Sequence, residues 1–240
     1  MLFRSEKSTA GEITLPCIEK CNGACNLCGD SIKLVQNFIR DEVKHQEIPH
    51  TVTQKPDPDT FRIIFSFSKQ ETAIFHSHLG LLEMFFMAFL RADIPVLYSM
   101  GFNPLPRLEI VSPLSLGIKA RGEIAAIDTK SFFEAEQFKM ALNACLPDGL
   151  KIVKAMNVHI RSGEKKHSLS SLLWGYVYAG KDGRSDIVSA KEEKAYRALR
   201  DAYGLERISV LARKISPALP DECGASYFEV YRELYPVRQS

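Results

Sequence analysis

The thiols of Cys17, Cys21, Cys25 and Cys28 are the residues best placed to do chemistry. They are four of the chain's six cysteines, with three, three and two residues between them. Thiolates are soft ligands that suit Zn²⁺ or the iron of an Fe–S cluster. Four so close can wrap one centre without help from the rest of a fold. Asn22, Gly23, Asn26 and Gly29 supply the backbone freedom for it. Structural zinc sites usually join two Cys pairs through a loop of about 12 residues or more. Only three residues separate Cys21 from Cys25, so the spacing favours Fe–S ligation, with zinc as the other occupant. Cys145 and Cys223 stand alone and read as small buried hydrophobes.

The last three of the four cysteines also match the ligand spacing that opens radical S-adenosylmethionine enzymes. Those enzymes set the cluster on a barrel of β/α units. Nothing after Cys28 reads as such a series, so a self-sufficient radical enzyme is rejected. Nor does the chain offer a Gly-rich phosphate loop, a nucleophile elbow or an HExxH pattern. It is not expected to be catalytic alone.

A second constellation begins at His76-Ser77-His78-Leu79 and ends at Tyr98-Ser99-Met100-Gly101-Phe102-Asn103-Pro104-Leu105-Pro106-Arg107. Two prolines fix the backbone, Gly101 allows a positive φ, and Asn103 can satisfy backbone groups in the turn. A rigid connection between strands explains those three features without a ligand. His76, His78, Ser99, Gly101, Phe102, Asn103 and Arg107 are the candidates for contact with a partner or RNA. A guanidinium after a Pro-fixed segment is held at low entropic cost.

These residues need a scaffold. Residues 1–50 read as a leader with the Cys-rich metal-binding segment. A helix capped by Asp30 follows over 31–46, and then a Pro-containing linker near 50–59. From Phe61 the pattern restarts as a half-buried strand. A helix over 76–92, a short strand at Pro95–Ser99, strands at Leu108–Leu116 and Glu123–Ile127, a helix over 134–145 and a strand at Leu150–Val158 complete residues 60–158. That order predicts an α+β fold, a ferredoxin-like split βαβ sandwich. Residues 159–240 read as a C-terminal α+β extension, a second small unit. Its elements are strands at Leu172–Ala179, Ile208–Ile215 and Tyr227–Tyr231. A helix to Tyr203 sits among them, opened by a Ser189/Glu192 capping box and closed by Gly204.

Composition bounds the partners. A formal net charge of +2, from 31 Lys+Arg against 29 Asp+Glu, excludes a histone-like nucleic-acid binder. Any phosphate contact must come from a local patch; Lys69, Arg107, Lys119 and Arg121 could meet phosphates, although scattered basic residues are usually solvated surface. Phe61, Phe65 and Phe67 could stack bases on an open sheet, although core packing is the plainer reading. The most apolar stretch, Leu79–Leu90, is too short for a bilayer span, so no membrane partner is expected. The N-terminus lacks an apolar run after Arg4 and Lys7, which points to a cytoplasmic protein.

Ser77-His78-Leu79, the run Tyr98–Pro104, Pro113-Leu114-Ser115-Leu116-Gly117 with Glu123, and Leu146-Pro147-Asp148-Gly149-Leu150 recur in that order in radical-SAM-linked proteins. The chain resembles that bacterial domain of unknown function over roughly residues 60–158. Such domains are fused to, or encoded beside, a cobalamin-type radical S-adenosylmethionine protein. The cysteine segment is similar to the Cys-rich tail of fused members. The resemblance implies an accessory subunit whose partner is a radical S-adenosylmethionine protein, and RNA as the material presented. A free-standing RNA-binding module with a structural zinc site is the alternative. One departure matters. The helix after Ser-His-Leu usually carries Asp and several Arg, where this chain has Gly80, Glu83, Met87 and Leu90. That strips charge from what could be a nucleic-acid face, weakens the RNA reading, and suggests either a degenerate copy or a face buried by a partner.

Overall fold

The computed structural model describes residues 59–100, 102–214 and 224–236. All belong to one compact unit, Lys55–Ser240. The leader cysteines, the helix expected over 31–46 and the linker up to residue 58 lie outside the described residues.

The described residues form an α+β fold built on one mixed sheet of eight strands. In chain order the elements are β1 (Thr60–Lys69), α1 (His78–Arg91), β2 (Leu108–Ile110), β3 (Ala120–Thr129), α2 (Ala135–Cys145), β4 (Leu150–Ile160), β5 (Leu173–Ala179), β6 (Ser185–Ser189), α3 (Glu193–Tyr203), β7 (Glu206–Ala212), β8 (Ala225–Ser226) and α4 (Tyr227–Leu234). The sheet runs β4-β1-β3-β7-β5-β6, with β2 also on β3 and β8 on β7. Strand β1 pairs antiparallel with both β3 and β4.

β1 is buried on both faces, and its alternation sorts the core into two layers. Ile63, Phe65 and Phe67 face α1 and α2, with Leu81, Phe85, Phe89, Phe138 and Leu142. Ile64 faces the other side, with Ile124, Ala126, Tyr227 and Tyr231. The rings of Phe65, Phe67, Phe85 and Phe138 pack with centroids 5.1–5.7 Å apart, each burial being worth about 1.5–3 kcal/mol. The base-stacking role for Phe65 and Phe67 is therefore corrected. Both are core residues, and Phe61 stacks on His159 at 4.9 Å.

Local chemistry explains the helices. The Ser77 hydroxyl accepts from Gly80 N at 3.1 Å and starts α1. Leu81, Phe85, Ala88 and Phe89 then repeat at helical spacing on the buried side. Asn157 pins the start of α2, accepting from Ala135 N at 2.8 Å and donating to Phe133 O at 2.7 Å. Asn143 ties the same helix to β4 through both Ile152 backbone groups, at 2.7 and 3.1 Å. Gly204 closes α3 in the left-handed region, as expected.

Four expectations change. Pro95–Ser99 is not a strand, because it makes only the isolated bridges Val96–Thr129 and Tyr98–Pro106. The strand at Leu108–Leu116 shortens to β2. Tyr227–Tyr231 is helix, its buried Tyr227, Val230 and Tyr231 following the helical period. The second unit is not a separate sheet. β7 joins β3 in parallel at Ala120–Arg207, so the C-terminal strands extend the first sheet. Gly122 permits that junction, since a Cβ there would stand 2.5 Å from Ile208 O.

Candidate functional site

The hairpin after α1 is closed by Ser99, not by Asn103. Ser99 N donates to Leu105 O at 2.8 Å, and the Ser99 hydroxyl accepts from Leu105 N at 3.0 Å. Phe102 and Asn103 are exposed at the tip, with Phe102 and Met100 almost wholly in solvent. Gly101 lies outside the described residues. His76 is exposed, and its carbonyl accepts from Lys69 Nζ at 2.8 Å. His78 is half-buried, with Nδ1 enclosed and without a hydrogen-bond partner among the described residues. Among the described residues, the two histidines share no hydrogen bond or ion pair with the hairpin. On the outer side of α1 Leu79 is 69% and Leu90 63% exposed, with Met87 and Glu83 exposed between them.

The expected basic patch does not assemble. Lys69 is buried, and burial lowers its pKa against the pull of Glu123. Arg121 pairs with Glu206 at 2.7 Å. Arg107 is the exception, and it sits at the hairpin's base, apart from the tip residues.

There it lines a cleft of about 380 Å³ with Arg62, Leu108, Glu109, Asp128, Lys166 and Ser168. Register places the floor: Arg62 on β1 lies opposite Asp128 on β3. Their side chains pair at 2.8 Å, both almost fully buried. Burial works against the Arg62 charge, but Asp128, with Tyr231 and Glu109, more than offsets it, so the pKa is raised. Lys166 bonds the second Asp128 oxygen, and Glu109 lies 3.5 Å from the Arg62 guanidinium.

The far wall is segment 165–169, held by α4. Tyr227, Tyr231 and Tyr235 stand at successive turns. Their hydroxyls donate to the carbonyls of Leu169 (2.8 Å), His167 (2.6 Å) and Lys165 (2.7 Å). Alternate carbonyls thus face α4, while Lys166 and Ser168 line the cleft. Burial pushes the Tyr227 and Tyr231 phenols well above their ordinary value, so they remain donors.

A second charged cluster is closed to solvent. Arg207 lies 3.3 Å from Glu123, 3.2 Å from the Ser112 hydroxyl and 4.1 Å over the Tyr176 ring. Burial raises the Glu123 pKa, against the pull of Arg207.

Sequence reasoning passed over Arg62, Glu109, Asp128, Lys166 and Arg207. The available signal was Arg62 at an inward position of an apolar strand, where a charge requires a partner. Among the described residues, no group of three or more His, Cys, Asp or Glu is placed to hold a metal. The four leader cysteines lie outside the described residues. No helix among the described residues is long and apolar enough to cross a membrane.

The fold and the cleft define an α+β domain whose sheet is covered on both faces around a small charged cleft. The model of the family described as "Uncharacterized protein conserved in bacteria (DUF2344)" matches residues 62–216, well over half of the chain, and the chain belongs to that family. The match spans the cleft floor, the hairpin and the β3–β7 junction. No curated protein matches the chain.

Proposed function

We propose that this chain is an accessory subunit of a radical S-adenosylmethionine protein. It carries a metal or Fe–S site on Cys17, Cys21, Cys25 and Cys28 and presents a substrate of the RNA class. Residues 60–160 serve as a ferredoxin-like platform. The antiparallel order β4-β1-β3-β2, with α1 and α2 packed on one face, supports that reading. The observation that carries the docking role is the paired apolar exposure of the hairpin tip and α1. Phe102 and Met100 stand out from a closed hairpin, and Leu79, Met87 and Leu90 are exposed on a helix whose other side is core. Exposed apolar groups on a closed hairpin and on a helix suit a protein partner better than a polyanion.

The test is a pull-down of the co-encoded radical S-adenosylmethionine protein by the full chain. Phe102→Ser with Leu79→Ser and Leu90→Ser should reduce capture without lowering the melting temperature, since all three side chains lie in solvent. Capture equal to that of the unaltered chain would remove the docking role. Metal analysis after anaerobic purification should give about one centre per chain, lost when all four cysteines become serine. Unchanged metal content would remove the metal from the proposal.

A further inference from the structure

The cleft beside Arg107 has more donors than acceptors left to answer them. Both Asp128 oxygens are engaged, by Arg62 Nε at 2.8 Å and by Lys166 Nζ. Both Glu109 oxygens face donors, Arg62 Nη1 at 3.5 Å and Ser170 N at 3.3 Å. Each carboxylate oxygen in the cleft thus already faces one donor, and Arg62 is itself engaged by Asp128, Glu109 and the His167 carbonyl. Arg107 and Lys166 keep donors to spare. The exposed Arg107 guanidinium has no hydrogen-bond or ion-pair partner among the described residues. Lys166 gives a bond to Asp128, out of the three an ammonium can make. Charge points the same way: Arg62, Arg107 and Lys166 face Asp128 and Glu109. Surplus donors and surplus positive charge suit a ligand that brings acceptors and negative charge.

From this geometry we infer that the cleft binds the phosphate group of a small phosphomonoester. The donors come from the end of the hairpin and from segment 165–169, over a floor set by β1 and β3. They come from two separate segments, and a phosphate group offers three terminal oxygens to accept from them. A planar carboxylate would be matched by one arginine fork. A cleft of about 380 Å³ falls in the range of small-molecule sites, and Leu108 offers an apolar wall to the organic part. The tyrosines of α4 hold the Lys166 segment in advance, so little ordering is left for binding to meet. This goes beyond the docking role, which uses the hairpin tip and the outer side of α1.

Calorimetric titration of the full chain tests it. The probes are inorganic phosphate, phenyl phosphate, a 5′-phosphorylated mononucleotide, and one oligonucleotide with and without its 5′-phosphate, in buffers of matched ionic strength. Saturable binding of the phosphomonoesters is expected, weaker for inorganic phosphate. Arg107→Ala should weaken it by about tenfold or more, the loss of a charged hydrogen-bond pair. The melting temperature of the free protein should not change, because Arg107 is exposed. Arg107→Lys should retain part of the binding, and Arg91→Ala, an exposed charge on α1, all of it. The Phe102→Ser, Leu79→Ser, Leu90→Ser variant should bind the probes normally, so failure of the docking role leaves this result standing. Absence of saturable binding at concentrations on the order of millimolar would overturn the inference, as would Arg107→Ala binding like the unaltered chain. Equal affinity for the oligonucleotide with and without its 5′-phosphate would overturn it too, in favour of a phosphodiester backbone.

Discussion

Arg207 and Glu123 meet between β7 and β3 with both side chains almost wholly out of solvent. Such a pair contributes little net stability when intact, because desolvation offsets the attraction. Breaking it is costly, since one charge is left stranded. Arg207→Met should lower stability by about 3–5 kcal/mol at neutral pH. The loss should shrink on acidification, and the sign follows from Glu123. Burial raises the pKa of this acid above the ordinary glutamate value, so the folded protein holds the proton more tightly than the unfolded chain. Stability from this group is thus present at low pH and lost as pH climbs from the ordinary glutamate value through the raised one. Without Arg207 that fall should steepen. Urea unfolding of both proteins from about pH 4 to 7 measures it. A pH-independent difference between the two would show that Glu123 does not sense Arg207.

At the scale of elements, α4 matters more than its eight residues suggest. Its tyrosines form a ladder that converts an irregular, polar segment into one wall of the cleft. The periodic spacing of Tyr227, Tyr231 and Tyr235 was plain in the sequence, but a strand reading hid its meaning. Three aromatic or aliphatic residues in a short run satisfy a two-residue alternation and a helical period about equally well. Packing decided for the helix: its rise of about 6 Å per four residues matches the spacing of alternate carbonyls along segment 165–169, where a strand would set the same tyrosines about 13 Å apart. Each bond should contribute about 0.5–1.5 kcal/mol. Tyr227→Phe with Tyr231→Phe and Tyr235→Phe should therefore lower stability by a few such increments, and should free segment 165–169 more than any other part. Hydrogen exchange reads both effects. Protection lost evenly across the sheet, with no excess around the segment, would mean that the ladder does not organise the wall. The hairpin shows the converse case. Its prolines and its closure at Ser99 were local matters, and the sequence was enough to expect a rigid turn there. The cleft at its base was not legible, because strand register brings Asp128 to Arg62 across 66 residues, and Lys166 meets Asp128 from a segment that the α4 tyrosines hold.

For the whole molecule, the parallel junction of β3 and β7 turns two sequence regions into one sheet. Gly122 allows the backbones to approach, and Arg207 crosses the seam to Glu123. Residues 59–240 should therefore fold as a unit without the cysteine segment, since the described residues supply two cores of their own. A truncated chain beginning at Asp59 should be soluble and melt in a single cooperative transition, followed by circular dichroism. Insolubility, or a broad melt, would show that the leader belongs to the core. Separate transitions for 59–160 and 161–240 would show that the junction is weak.

Local signals were sufficient for α1 and α2, where a cap and a repeating apolar face coincide, for α3, which Gly204 closes, and for β1, β3, β4 and β5, where apolar runs end at turn residues. These features depend on neighbours a few residues apart, so a single sequence carries them. The same holds for the crowding of Cys17, Cys21, Cys25 and Cys28, which is a property of spacing alone. Tertiary structure decided the rest. It buried Phe65, Phe67 and Lys69, left Leu79 and Leu90 bare, and joined the C-terminal strands to the first sheet. It also gathered Arg62, Arg107, Asp128 and Lys166 around one cleft. The physical reason is common to all of these. Which face of a strand or helix is covered, and which charges meet, depends on partners distant in the chain, and local periodicity does not encode them.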